Sequence, residues 1–145
     1  MRISPRFTAV LPMVWMAVIF LMSAQPDSGE QSGRLLAFLL GPFAGYFAEA
    51  QLDVLHHLLR KAAHFTEYAI LAGLWVWNTG TDGRALRFAW SAATLYAVSD
   101  ELHQRFVPGR AGALGDVLID SLGALALVTF VRLRIKMAND SSRAR

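Results

Sequence analysis

Apolar positions in this chain gather into long runs with few charges, separated by short polar stretches. Phe7 to Ala24 is an uncharged run of 18 residues behind Arg2 and Arg6. At ~1.5 Å per residue it reaches about 27 Å, close to the ~30 Å hydrocarbon thickness of a bilayer. A basic segment before an apolar run also describes a signal peptide, but the cleavage positions around Leu21-Met22-Ser23-Ala24 lack a small residue three positions back. Gln25 to Arg34 is polar and reads as a loop. Leu35 to Ala48 is uncharged but short, and Gly41-Pro42 interrupts it, which suits an interfacial or re-entrant segment better than a span. The Gly41-to-Gly45 spacing would allow close helix packing, with Pro42 weighing against it. From Glu49 to Lys61 the pattern is amphipathic. Leu52, Leu55, Leu58 and Leu59 share one face, and Asp53, His56, His57 and Arg60 lie largely off it.

Three more apolar runs follow. The first, Ala62 to Thr79, carries His64 and Glu67 and ends at the turn signal Gly80-Thr81-Asp82-Gly83. The next runs from about Leu86 to Gln104 and leads into a short basic loop, Arg105 to Arg110. The last runs from about Ala113 to Val131, with Asp116 and Asp120 inside it. The pattern predicts an all-α membrane protein, a bundle of about four transmembrane helices with an interfacial or re-entrant segment after the first. The spans fall at about residues 7–24, 62–79, 86–104 and 113–131. Residues 1–137 make a single domain, and 138–145 form a polar tail expected to be disordered. No internal repeat or low-complexity tract is visible.

Composition adds less than pattern. A soluble core could use the 54% apolar content, so it is the distribution that decides the class. A formal charge of +3 and a pI of about 9.8 would suit nucleic acid. In a chain of apolar spans, basic residues instead anchor helix ends and set topology, so no nucleic-acid partner is expected. With the N-terminus inside, nine basic residues (Arg2, Arg6, Arg84, Arg87, Arg132, Arg134, Lys136, Arg143, Arg145) face the cytoplasm, against five outside (Arg34, Arg60, Lys61, Arg105, Arg110). Both termini are therefore expected in the cytoplasm. Trp75, Trp77 and Trp90 lie near the cytoplasmic end and read as interfacial belt residues. The absence of cysteine excludes disulfides, thiolate nucleophiles and iron–sulfur clusters.

Ionisable residues within spans are costly, about +2.5 to +3.5 kcal/mol for Asp near a helix centre. Glu67 is 12 residues from Thr79, Asp100 is 13 from Arg87, and Asp120 is 12 from Arg132. Each therefore sits roughly 18–20 Å above the inner boundary at ~1.5 Å per residue, so carboxylates of three helices share one layer in the outer half of the bilayer. Asp116, His64, and His103 with Gln104 lie about one turn above Asp120, Glu67 and Asp100. Lys61, Arg105 and Arg110 would cap the assembly from outside. Such groups can pair to hold helices together, line a site, or do both.

The residues Lys61-Ala62-Ala63-His64-Phe65-Thr66-Glu67-Tyr68 resemble the K-x-x-H-F-x-E-Y motif of VanZ-like proteins. Ser99-Asp100-Glu101-Leu102-His103-Gln104-Arg105-Phe106-Val107-Pro108-Gly109-Arg110 resembles their S-D-E-x-H-Q-x-F-x-P-G-R motif. Asp116-Val117, Asp120 and Gly123 resemble the D-V-x-x-N/D-x-x-G helix that follows, with Asp120 where the family commonly has Asn. The likeness covers about Leu59 to Phe130, plus the first span with its trailing Ser23 and Pro26. It implies a small bacterial membrane protein of the cell envelope, in a family whose founding member is associated with teicoplanin resistance. It implies no reaction.

Three chemistries fit these residues. An enzyme would use Glu67, Asp100 or Glu101 as base, with His103 or His64 assisting, although neither G-x-S-x-G nor a P-loop is present. A metal site is imaginable from His64, Glu67, Asp100, Glu101, His103 and Asp116, but spacing alone does not close a coordination sphere, and no cofactor is expected. The leading reading is a binding module for a membrane lipid or lipid-linked wall precursor. Arg110 is its principal contact, with Lys61 and Arg105 assisting and His64, Glu67, Asp100, Glu101, His103, Gln104, Asp116 and Asp120 lining the pocket. Arg110 could equally pair with Asp116 or Glu101. The oligomeric state is left open.

Overall fold

A computed structural model of the chain describes residues 10–24, 28–108 and 112–143. Within them the protein is all-helical. The elements are α1 (Val10–Ser23), α2 (Ser28–Leu40), a 3-10 helix (Gly41–Tyr46), α3 (Glu49–Thr79), α4 (Gly83–Gln104) and α5 (Leu114–Arg143).

The chain breaks where local chemistry requires it. Gly41 adopts φ 47°, where a Cβ would be strained, and Pro42 has no N–H to extend α2. The start of α3 is fixed by Gln51, whose side chain accepts the Ala48 N–H at 2.9 Å. Gly80, at φ 102°, ends α3 and donates its N–H to the Val76 carbonyl at 2.8 Å. Asp82 then caps α4, its carboxylate accepting the N–H groups of Arg84 and Ala85 at 2.8 and 2.9 Å. Those two backbone donors hold the Asp82 carboxyl below the usual carboxylate range. After Gln104, a turn closed by Phe106 N–H to His103 O leads to Pro108, which bars further helix.

The most extensive pairing is between α3 and α5, followed by α4–α5 and α3–α4; α1 leans on α3 and α4, and α2 on α3. Contacts of Lys61 with Asp116, His64 with Asp120, and the space over Gly73 with Leu127 advance together along both helices. Thus α3 and α5 run parallel, with α4 returning beside them. Ala89, Ala93 and Ala97 make a fully buried small-residue stripe on α4, which lets backbones approach. Gly123 is the extreme case: a Cβ there would lie 2.1 Å from the Phe65 carbonyl oxygen.

Beside an apolar core that includes Tyr68, Leu71, Ala72, Leu86 and Ala124, these helices also bury acids. Asp100, Glu101, Gln104, Asp116 and Asp120 are buried, while Phe65, Ile70, Leu95, Val98, Leu102, Leu118, Leu122 and Phe130 are exposed on the same three helices. A contiguous apolar exterior around buried acids is what a lipid environment requires.

Several boundaries differ from those expected. Residues 28–34, read as loop, begin α2, because Glu30, Gln31 and Arg34 are sound helix formers and Gly29 and Gly33 alone do not stop it. The amphipathic stretch from Glu49 and the run from Ala62 are one helix of 31 residues, since no breaker separates them. α5 continues to Arg143, so residues 138–143 of the expected disordered tail are helical, extending an established helix at little cost. Among the described residues, α5 is the one helix long and apolar enough to cross a membrane by length and composition; α1 and the Gly33–Phe43 stretch are apolar but shorter. α3 and α4 have ample length, about 46 and 33 Å at ~1.5 Å per residue, but carry charges along it.

Candidate functional site

Lys61 and His64 of α3, Asp100 and Glu101 of α4, and Asp116 and Asp120 of α5 converge where the C-terminal end of α4 meets the start of α5. Lys61, His64 and Tyr68 recur at i, i+3 and i+7 and so share one face of α3. On α5, Asp116, Asp120, Gly123 and Ala124 make the facing stripe. Lys61 Nζ pairs with Asp116 Oδ1. One turn on, His64 Nδ1 lies 3.3 Å from Asp120 Oδ1, at ion-pair distance but without hydrogen-bond alignment. The close approach at Gly123 brings the two helices near enough for both pairs.

From α4, Glu101 enters the same space. Its Oε2 accepts the Ala113 N–H at 2.8 Å, just before α5 begins. That contact depends on Gly112, where a Cβ would stand 2.2 Å from the Glu101 carbonyl oxygen. Glu101 is 4% exposed and Asp120 0%. His64, Glu101 and Asp120 each offer a ligand atom within 4.8 Å of the other two.

Asp100 has a different role. Ser23 donates its hydroxyl to Asp100 Oδ1 at 2.5 Å, and Gln104 donates to Oδ2 at 3.0 Å. Both carboxylate oxygens are engaged, and the Ser23 bond ties α1 to α4. Two further bonds fasten α1: Tyr96 donates to the Met16 carbonyl at 2.5 Å and Trp15 to the Glu67 carbonyl at 3.0 Å.

The remaining candidates divide. The Glu67 side chain is half-buried and within electrostatic reach of His64. His103 turns toward α1, its ring 4.4 Å from that of Phe20. Arg105 is exposed just beyond α4, its Cγ beside Gly112. Arg110 lies outside the described residues.

Tyr68 belongs to the site although the sequence pattern did not single it out. It is fully buried, its hydroxyl has no hydrogen-bond partner among the described residues, and Asp100, Asp120 and Glu101 are all within electrostatic reach. Its position one turn beyond His64 in the K-x-x-H-F-x-E-Y pattern is the signal that marks it along the chain.

Among the described residues the cluster has more acid than base: Asp100, Glu101, Asp116 and Asp120 against Lys61 and His64. Desolvating a carboxylate costs several kcal/mol unless it is paired, so these helices need protons, cations or a ligand at this point.

A family model described as VanZ/LLP1 matches residues 8–135. No curated protein and no solved structure matches the chain.

Proposed function

The chain belongs to the VanZ/LLP1 family, and from that premise we propose that it is a multi-pass protein of the bacterial cytoplasmic membrane that binds the anionic headgroup of a lipid-linked or lipid-bearing molecule. In this reading α1, the second half of α3, α4 and the first half of α5 cross the bilayer, α2 lies at its surface, and both termini are cytoplasmic. The polar site then opens in the outer leaflet, and its occupancy contributes to tolerance of teicoplanin-type glycopeptides. The exposed large apolar side chains, the buried acids and the parallel run of α3 and α5 with α4 returning beside them support the bundle.

The Lys61–Asp116 pair carries the binding reading. Buried acids alone would repel an anion, so a basic rim must attract it and the acids must orient that rim. Asp116 does this for Lys61. Arg105 sits at the adjoining turn, and Arg110 stands two residues before Gly112 in the sequence. An arginine contact to phosphate is bidentate and has a geometry that lysine does not copy.

The test separates binding from folding. Arg105→Ala, Arg110→Ala and Arg110→Lys should leave membrane abundance near wild type and lower glycopeptide tolerance, with Arg110→Lys nearly as impaired as Arg110→Ala. Lost abundance would assign these residues to structure. Normal abundance with normal tolerance in all three would refute the headgroup role.

A further inference from the structure

Among the described residues, Nδ1 of His64, Oε1 of Glu101 and both carboxylate oxygens of Asp120 are buried in the site without an aligned hydrogen bond, as is the Tyr68 hydroxyl. The atoms of His64, Glu101 and Asp120 come from three different helices, and these residues are not joined by sequence proximity. We propose that His64, Glu101 and Asp120 together bind one divalent transition-metal ion.

Geometry and chemistry both point there. Zinc–ligand bonds of ~2.0–2.1 Å at tetrahedral angles set ligand atoms about 3.3 Å apart. His64 Nδ1 and Asp120 Oδ1 are already 3.3 Å apart, and one ligand atom from each of His64, Glu101 and Asp120 lies within 4.8 Å of the other two. Glu101 is oriented for coordination, because the Ala113 N–H fixes Oε2 at 2.8 Å and leaves Oε1 to meet the ion. Hydrogen bonds of this kind orient metal ligands.

The electrostatics favour a cation. Asp116 is already neutralised by Lys61, and Asp100 is satisfied by Ser23 and Gln104. Glu101 and Asp120 remain as buried carboxylates beside the His64 imidazole. One imidazole with two carboxylates suits zinc, manganese or iron, whereas magnesium and calcium favour sites made of oxygen alone. Three protein ligands leave a coordination position open for water or for an oxygen of a bound molecule. This inference stands apart from the headgroup reading, since the metal is held by the buried trio and the headgroup by the basic rim.

The experiment uses full-length, untagged protein purified in a neutral detergent, stripped with chelator and titrated with Zn²⁺ or Mn²⁺ alone. Elemental analysis after gel filtration should find one equivalent of metal. Glu101→Gln and Asp120→Asn should weaken retention at least about tenfold, as loss of a ligand must exceed the ~10–100-fold effect of losing a supporting contact. His56→Gln with His57→Gln should leave it unchanged, which removes adventitious surface histidines as the cause. Bound Co²⁺ should give visible absorption that His64→Gln abolishes. Glu101→Gln retains an oxygen acceptor for the Ala113 N–H, so it stays informative if Asp120→Asn does not fold; circular dichroism checks helicity in each. If wild-type protein keeps no stoichiometric metal, or Glu101→Gln keeps as much as wild type, the trio is a proton-bridged polar core and the proposal fails. Because no lipid is added, this result is independent of the Arg105 and Arg110 variants.

Discussion

Gly123→Ala tests whether the close approach of α3 and α5 builds the site. The added Cβ would meet the Phe65 carbonyl oxygen at 2.1 Å and its carbonyl carbon at 2.9 Å. Both atoms are backbone, so no side chain can swing aside. Ordinary C···O contacts begin near ~3.3 Å, so the helices must separate by about 1.2 Å. Overpacking of this kind costs about 1–3 kcal/mol, which for a chain of this size lowers the melting temperature by roughly 3–10 °C. The same displacement acts on the polar pairs. His64 adjoins Phe65 and Asp120 is three residues before Gly123, so the 3.3 Å separation of His64 and Asp120 should widen to roughly 4.5 Å, beyond ion-pair distance. Stability and site should therefore fail together. Gly115→Ala is the control, because nothing lies within 4 Å of a Cβ there and alanine is the better helix former by about 1 kcal/mol. The assay is thermal unfolding in detergent, followed by near-UV circular dichroism, together with membrane abundance. If Gly123→Ala melts with wild type, the helices do not meet as described, and the argument for the paired acids on α3 and α5 falls with it.

Asp100→Ala should destabilise by about 1–3 kcal/mol, because the buried Gln104 amide loses its acceptor and the Ser23 hydroxyl falls back on the Phe20 carbonyl at 3.2 Å. Ser23→Ala should cost less, and their double mutant should show non-additivity; purely additive melting shifts would deny the α1–α4 link. A C-terminal alkaline phosphatase fusion should be inactive and a C-terminal fluorescent fusion bright, as expected for a cytoplasmic terminus; the reverse would invert the site relative to the membrane. The Asp82 cap should contribute stability above its unfolded pKa of about 3.9 and lose it as pH falls through its lower folded value. Asp82→Ala should therefore narrow its melting gap from wild type as the solution is acidified into that range, and a gap unchanged by acid would remove the charge from the cap.

Much of the architecture is legible in one dimension because helix breaks are local events. Gly41-Pro42, Gly80 through Gly83 and Pro108 act through φ, a missing N–H or a capping carboxylate, and each marks a boundary of the fold. The same holds for the identity of the polar residues: the motifs around His64, Asp100 and Asp120 name most of the cluster, and counting residues from helix ends brings their helices to a common level. Local signals fail where nothing stops a helix, which is why α2 starts within the polar stretch and α5 runs on to Arg143. Counting along a helix axis gives height but not azimuth. It groups Glu67, Asp100 and Asp120, whereas rotation about each axis and the depth of packing decide which groups meet. Only the tertiary structure turns Asp100 to Ser23 and Gln104, sets Lys61 on Asp116, and gathers His64, Glu101 and Asp120 within 4.8 Å. The contacts that fix those rotations are Gly123 against Phe65, far apart in the chain, and Gly112 against Glu101, across the turn between α4 and α5; for such backbone approaches a sequence holds the glycine but not its neighbour.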